Sequence, residues 1–533
     1  MLALLNRYAA VGLVTLLAAP TAAQQHSSDI VADRILTAVT CSSSLEENLR
    51  VLCDEIGPRM PGTPGMKQAV AWSEAAFRKA GADTVRTESF EIPASWQEGD
   101  TRIEVTSPVR FEVRGVSSAW VPATRRGGLR AEVIDGGTGV EGFIRRLGRR
   151  AKGKILLVRS ETVRTFLDLA HEQRDTTIAL READEVGAAA VLFMSTRPHG
   201  LLYRHVNVVD GRLDVLPTAL LAREDAERIR RFLESGRRVH MHLRLPNKTG
   251  GPFKAHNVVA EVRGREESDE FLLVGAHLDS WDLGTGCLDN AANVALLLEA
   301  ARALTSAERR PRRTVRFVLF SGEEQGLLGS KAYAQAHRDE LDRITAVVVH
   351  DMGIGSIKGY SLGGRRDIET GLVQAMEPVA GRGANAHSFE AFFGSDHFDF
   401  LLEGVPTLIA IQDTTEYVPV YHSSADTFDK VSLYDLRRQT GTAAVTIYNL
   451  ADRAEPLGKR LARPEVQKLL EETDLDEQMK FLGLWEEWEQ GLRGRQPPRT
   501  SSKKELVGPP RFELGTSSTP RKRATRLRYG PTK

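Results

Sequence analysis

The sequence predicts an α/β protein: a mostly parallel (mixed) sheet with helices on both faces, interrupted by a smaller α/β module. Three observations carry that prediction. From His256 onward, apolar runs (HNVVAEV, FLLVGAH, TVRFVLFS, ITAVVVHDMG, VPTLIAI) alternate with segments of helical period; such alternation builds a largely parallel sheet covered by helices. Several of these runs end in Gly and then in His, Asp or Glu, the place where open α/β sheets hold their ligands. Residues from Thr101 to Leu245 break the pattern with short β-rich pieces (RIEVTSP, AEVIDGG, GKILLVR, AAAVLFM) and intervening helical stretches, which reads as a module of its own.

Size and composition narrow the class. At 533 residues the chain suggests about three domains on a prior of roughly 150 residues each. With 41% hydrophobic and 27% charged residues, most of it should fold as globular protein. The formal net charge of +1 supplies no drive toward nucleic acid or an acidic membrane. The three cysteines, Cys41, Cys53 and Cys287, are too few for a disulfide scaffold. Cys41 and Cys53 either form one bridge in an oxidising compartment or stay as two thiols near a helix.

Taken in order, the chain opens on Arg7, an apolar stretch Ala9–Ala19, and small residues before Gln24. That is the plan of an export signal over residues 1–23, too short for a comfortable membrane span and without a lipid-anchoring cysteine. The reading is an exported protein, secreted or periplasmic, with no membrane anchor. Two helical segments, SLEENLRVLCDEI and GMKQAVAWSEAAFRKAGA, flank the turn-rich GPRMPGTPG. Leu45, Leu49, Leu52 and Ile56 recur at helical spacing as core positions. A strand over 83–92 leads into the module at 101–249, whose histidines His171, His199, His205, His240 and His242 read as ordinary surface or strand residues. The alternating segment at 250–454 follows and closes on a helix over 433–450. A helical extension at 455–494 carries Trp485 and Trp488, which would dock it on the body or on a partner. The Pro/Ser/Thr/Arg-rich tail at 495–533 reads as disordered and basic.

The chemistry concentrates between Phe271 and Ala303, where His277, Asp279, Asp282 and Asp289 crowd the end of a strand before an Ala/Leu helix. His277 and Asp279 are two apart and project to one side if strand geometry persists. Further along, FSGEEQGLLGS supplies Glu323 and Glu324, HDMG supplies Asp351, and YVPVYHSSADTFD supplies Tyr421 and His422. Adjacent carboxylates at a strand end are costly unless a cation faces them. His277, Asp289, Glu324, Asp351 and His422 offer two imidazoles and three carboxylates, donors that suit zinc. Three carboxylates and one hydroxide balance two Zn²⁺, which implies a paired site with metals about 3.5–4 Å apart and Asp289 bridging them. Glu323 is then the general base that takes a proton from metal-bound water and passes it to a leaving amine. Tyr421 is placed to donate to a developing oxyanion, and Asp279 to orient His277.

GAHLDSWDLGTGCLDNAAN, FSGEEQGLLGS, HDMG and YHSSADT together resemble the motifs of the M28 zinc peptidases, over roughly Glu46 to Asp452. The resemblance implies a zinc-exopeptidase fold, a secreted dizinc exopeptidase acting on dipeptides and short peptides, and often a homodimer. It implies that His277 and Asp351 complete one metal, that Glu324 and His422 complete the other, and that Tyr421 polarises the scissile carbonyl. It also implies a cis peptide after Asp289 and a protease-associated domain over 101–249, inserted into a catalytic domain made of 24–100 and 250–454. Whether the amine or the carboxylate end of the substrate is recognised stays open, so carboxypeptidase and aminopeptidase both stand; Arg365, Arg366 and Ser395 lie in plausible loops. Two further readings keep the scaffold: a single-zinc glutaminyl cyclase-like enzyme and a non-catalytic binding protein like the transferrin receptor.

Overall fold

A computed structural model describes residues 22–205 and 209–495. Most of the segment read as an export signal, and all but the first residue of the basic tail, lie outside these.

The main sheet has seven strands: β1 (Thr84–Ile92), β2 (Phe253–Val262), β3 (Phe271–His277), β4 (Thr314–Phe320), β5 (Ile344–Val349), β6 (Gly359–Ser361) and β7 (Thr407–Ile411). Their spatial order is β1-β2-β4-β3-β5-β7-β6. The four inner strands β4, β3, β5 and β7 run parallel, and antiparallel strands flank them on both sides. Every residue of β3 and β5 is buried, as befits strands covered on both faces. The helices Ala292–Ser306 and Leu433–Asp452 pack on one face, where their apolar residues merge with Val274, Ala276 and Phe317 into the largest core cluster. Leu45, Leu49 and Leu52 join that core as their spacing requires.

Between β1 and β2 the chain leaves the main sheet and returns to it. Ile92 and Phe253 face each other across the two strands, and Ser95–Gln97 pairs with Lys248–Gly250 beside the exit. Everything between builds a separate eight-stranded sheet from residues 102–244, with its own apolar clusters. One of its helices runs Phe166–Glu185. Thr165 caps it, accepting from Asp168 N while the Asp168 carboxylate returns to Thr165 N.

The extension past Ala454 docks on the body. Helices Arg463–Glu472, Leu475–Leu482 and Trp485–Glu489 share an apolar cluster with Leu327, Phe398 and Leu401, with Trp488 buried at its centre and Trp485 partly exposed. Of the three cysteines, Cys53 and Cys287 form the disulfide, their Cα atoms 5.6 Å apart, while Cys41 is free and exposed. The Cys41–Cys53 alternative fails because the fold brings the second thiol from 234 residues away. Sequence proximity was the wrong guide to it.

Candidate metal centre

Parallel strands of matched register deliver the site. His277 ends β3 opposite Phe320, the last residue of β4, so Glu323 and Glu324 emerge three and four residues past a neighbouring strand end. On the other side Gly275 pairs with Val349, which places Asp351 just beyond the end of β5. Asp289 lies in the turn into the helix Ala292–Ser306, and the Asp289–Asn290 peptide is cis. His422 sits in the loop after β7 with a left-handed backbone.

The five candidate ligands converge as two triads that share Asp289. His277 Nε2 lies 3.0 Å from Asp289 Oδ1 and 2.9 Å from Asp351 Oδ1. His422 Nε2 lies 3.2 Å from Asp289 Oδ2 and 3.0 Å from Glu324 Oε2. In each triad the donor atoms lie within 4.8 Å of one another. Both imidazoles turn their other nitrogen to the main chain, His277 Nδ1 to Asp279 O at 3.0 Å and His422 Nδ1 to Arg204 O at 3.1 Å. A Nδ1–H donated to a carbonyl leaves the Nε2 lone pair aimed into the cluster, as a metal ligand requires. Glu324 Oε1 is buried without a hydrogen-bond partner among the described residues. This donor set fits divalent cations: buried carboxylates gathered around two imidazoles are stabilised by positive charge placed among them.

The electrostatics carry the same mark. Burial, reinforced by Asp351 and Glu324, pushes Glu323 well above the carboxylate range despite His277. Glu324 is raised likewise, by burial and Asp289. Burial opposes ionisation of Asp289 too, but the imidazoles of His277 and His422 hold it below its ordinary value. Burial opposes protonation of His277, yet Asp351 and Asp289 push it well up.

Asp279 does a different task from the one its spacing suggested. Its carboxylate is 3.8 Å from His277 Nδ1, whereas its main-chain oxygen makes the closer contact. The carboxylate instead accepts from the main-chain N–H groups of Glu323 and Glu324, at 3.4 and 3.3 Å, and so holds the loop that presents both. Asp282, crowded beside these residues in sequence, turns away to pair with Arg204. The Tyr421 ring stacks on His422 with centroids 3.6 Å apart and lines the cleft. Arg365 is buried against Asp367 and Lys459 O, and takes no part in the site.

Several neighbours escaped the reading of the sequence. Tyr417 OH donates to Asp289 Oδ2 at 2.9 Å. Asp426 accepts from the main-chain N–H of Leu288 and Asp289 at 2.7 and 3.2 Å, and burial raises it to about 7. Arg59, within GPRMPGTPG, is fully buried and spends its guanidinium on carbonyls: Nε on Leu278, Nη1 on Gly57 and Thr285, Nη2 on Gly286. It pins the turn that leads to Asp289. Gly286 adopts a left-handed backbone there, and a Cβ would strike Ser280 and the Arg59 guanidinium. Asp396, beside Ser395, is buried near Glu323 with neither oxygen hydrogen-bonded among the described residues. His205 is the correction to the module's histidines: its Nδ1 lies 3.0 Å from His422 Nδ1. A PR or GTPG pattern and a tyrosine four residues from another carry no ligand signal by themselves; only the fold assembles them.

The family model for peptidase family M28 matches residues 257–447, a span that includes all five candidate ligands. Carboxypeptidase Q from Xenopus laevis is 28% identical over 417 residues, which is 77% of this chain and 86% of that protein. Aminopeptidase YwaD from Bacillus subtilis (strain 168) is 26% identical over 408 residues, covering 74% of this chain and 82% of the relative. The crystal structure of a peptidase M28 precursor from Shewanella amazonensis SB2B superposes with a TM-score of 0.76 at 27% identity, over 82% of this chain and 99% of that one. Residues 257–447 form a peptidase family M28 domain.

Proposed function

We propose that the protein is a dizinc exopeptidase that hydrolyses dipeptides and short peptides after export, secreted or periplasmic, with residues 101–249 as an inserted protease-associated module. The observation that carries the reading is the sharing of Asp289 between the triads His277–Asp289–Asp351 and Asp289–Glu324–His422. His277 and Asp351 would hold one ion, Glu324 and His422 the other, and Asp289 both. When bound, such a pair supplies Lewis acidity and makes water a nucleophile at neutral pH.

The chain's own residues do the rest. Glu323, half-buried in the cleft lining beside Glu324, takes the proton from the attacking water. As the water oxygen bonds to the scissile carbonyl carbon, negative charge grows on the carbonyl oxygen. Tyr421, in the cleft wall, donates to that oxygen. Glu323 returns the proton to the amide nitrogen, the C–N bond breaks, and an amine and a carboxylic acid leave. Asp279 keeps Glu323 and Glu324 in place through their main-chain N–H groups. Tyr417 and Asp426 hold Asp289 from two directions.

The test is hydrolysis of a dipeptide panel by the zinc-loaded protein, with and without a chelator. Hydrolysis that chelation abolishes and added zinc restores supports the reading; hydrolysis indifferent to chelation refutes it.

A further inference from the structure

Resting on the peptidase reading, we propose that the C-terminal helical extension closes the far end of the catalytic cleft. There Arg181 binds the free α-carboxylate of a short peptide whose last side chain is apolar. The protein would thus work from the carboxyl end of its substrate.

The cleft has a volume of about 420 Å³, toward the small end of ligand pockets. Glu323, Glu324 and His422 line one part of it, and the segment Phe481–Leu484 of the extension lines another. Phe166, Leu169, Phe392, Phe393, Phe481 and Leu484 give the cleft an apolar wall. The extension is held firmly enough to serve as one. Arg493 and Asp399, both buried, pair at 2.5 Å, Lys331 meets Glu487 at 2.6 Å, and Trp488 is buried in the cluster beneath. Across the cleft, Arg181 on the helix Phe166–Glu185 donates to Phe481 O at 3.1 Å, with its guanidinium 5.5 Å from the Phe481 ring centroid. Two walls from distant parts of the chain therefore meet at this contact.

Charge decides which end of a peptide fits. Glu172, also in the cleft, is neutralised by Arg197 at 3.1 Å. Asp210 accepts from Arg212 N at 3.0 Å and faces the Arg212 guanidinium at 3.6 Å. Arg181 is exposed; Glu185, one turn along the helix, feels its charge but pairs with Arg145, so no carboxylate among the described residues lies within ion-pair distance of Arg181, and one of its five N–H groups is committed to Phe481 O. Away from the metal donors, the charge left for a ligand is therefore positive. It attracts a carboxylate, which a guanidinium binds through two parallel hydrogen bonds, and repels an α-ammonium. The aromatic and aliphatic wall around it suits an apolar side chain on the same terminal residue.

The experiment compares glycyl-phenylalanine with its carboxy-terminal amide, using the full-length zinc-loaded protein and following release of phenylalanine or its amide. The wild type should prefer the free acid by about tenfold or more in kcat/KM, mostly through KM, as loss of a charged hydrogen bond implies. Arg181→Met should collapse that preference toward unity, and Arg181→Lys should restore part of it. Phe481→Ala should raise kcat/KM for a tetrapeptide relative to the dipeptide by opening the wall. Zinc content and thermal unfolding of each variant confirm that the substitutions leave the fold intact. An active wild type that cleaves acid and amide equally overturns the anchor alone. So does an Arg181→Met variant that loses both activities in proportion. Absence of hydrolysis for every peptide in the presence of zinc overturns the peptidase reading, and the anchor with it.

Discussion

His205 and His422 face each other with their Nδ1 atoms 3.0 Å apart and their rings edge-on at 4.8 Å. One comes from the eight-stranded sheet's segment and the other from the loop after β7, so the module touches a candidate ligand directly. Behind His205 stand Glu172, 3.8 Å from its Nε2, and Arg197, which pairs with Glu172 and donates to Tyr421 O. This chain of contacts ties the module to the presentation of His422 and Tyr421.

His205→Ala removes one of the two polar partners of His422 Nδ1 and leaves the Arg204 carbonyl. Outer partners of metal-bound histidines are worth about 10- to 100-fold in affinity, so zinc binding should weaken by about tenfold. Competition with a chromogenic chelator measures it. An unchanged affinity would mean that the Arg204 carbonyl alone orients the ring.

Glu323→Gln should retain zinc and lower kcat by about 10²–10⁴-fold, the usual contribution of a general base. Stopped or steady-state assays on a dipeptide, alongside the metal content, check both halves. Turnover at the wild-type rate would remove Glu323 from the mechanism.

The two tyrosines separate by kinetics. Tyr417→Phe deletes the hydrogen bond to Asp289 and should act on metal retention. Tyr421→Phe deletes the proposed oxyanion donor and should lower kcat by about 10²-fold with zinc unchanged. If Tyr421→Phe keeps full kcat while Tyr417→Phe loses it, the donor is Tyr417.

The Glu172 cluster sets an acid limit. Burial would raise this carboxyl, but His205 and Arg197 pull it down to about 2. Its folded pKa lies below the unfolded value of about 4.3, so the unfolded chain takes up the proton first as pH falls. The contribution, about 3 kcal/mol, is complete above that unfolded value and disappears as pH drops through about 2. Denaturant unfolding at about pH 5 and about pH 3 should show Glu172→Gln with a flatter pH dependence than wild type. Equal slopes would contradict it.

Much of the site was legible because parallel strands end in register: a reader who places FLLVGAH, TVRFVLFS and ITAVVVHDMG side by side has already gathered His277, Glu324 and Asp351. Asp289 and His422 were legible through their motif neighbours. Arg59 was not, since its value lies in main-chain carbonyl contacts to Leu278, Gly57, Thr285 and Gly286 that no spacing encodes. His205 was hidden for a similar reason: a lone histidine in a separate sheet gains meaning only when that sheet is folded over the strand ends. The Cys53–Cys287 bond and the docking of Trp488 likewise depend on contacts across long stretches of chain. Asp279 meets His277 through its main-chain oxygen while its carboxylate accepts from Glu323 N and Glu324 N, a second contact that two-residue spacing does not encode.

The most direct test is the number of zinc ions per chain, by elemental analysis of the purified protein and of single variants. Two ions should be found in the wild type, one in Asp351→Ala and in Glu324→Ala, and none held tightly in Asp289→Ala. One tight ion in the wild type, or an Asp289→Ala variant that keeps two, would contradict the shared-carboxylate centre.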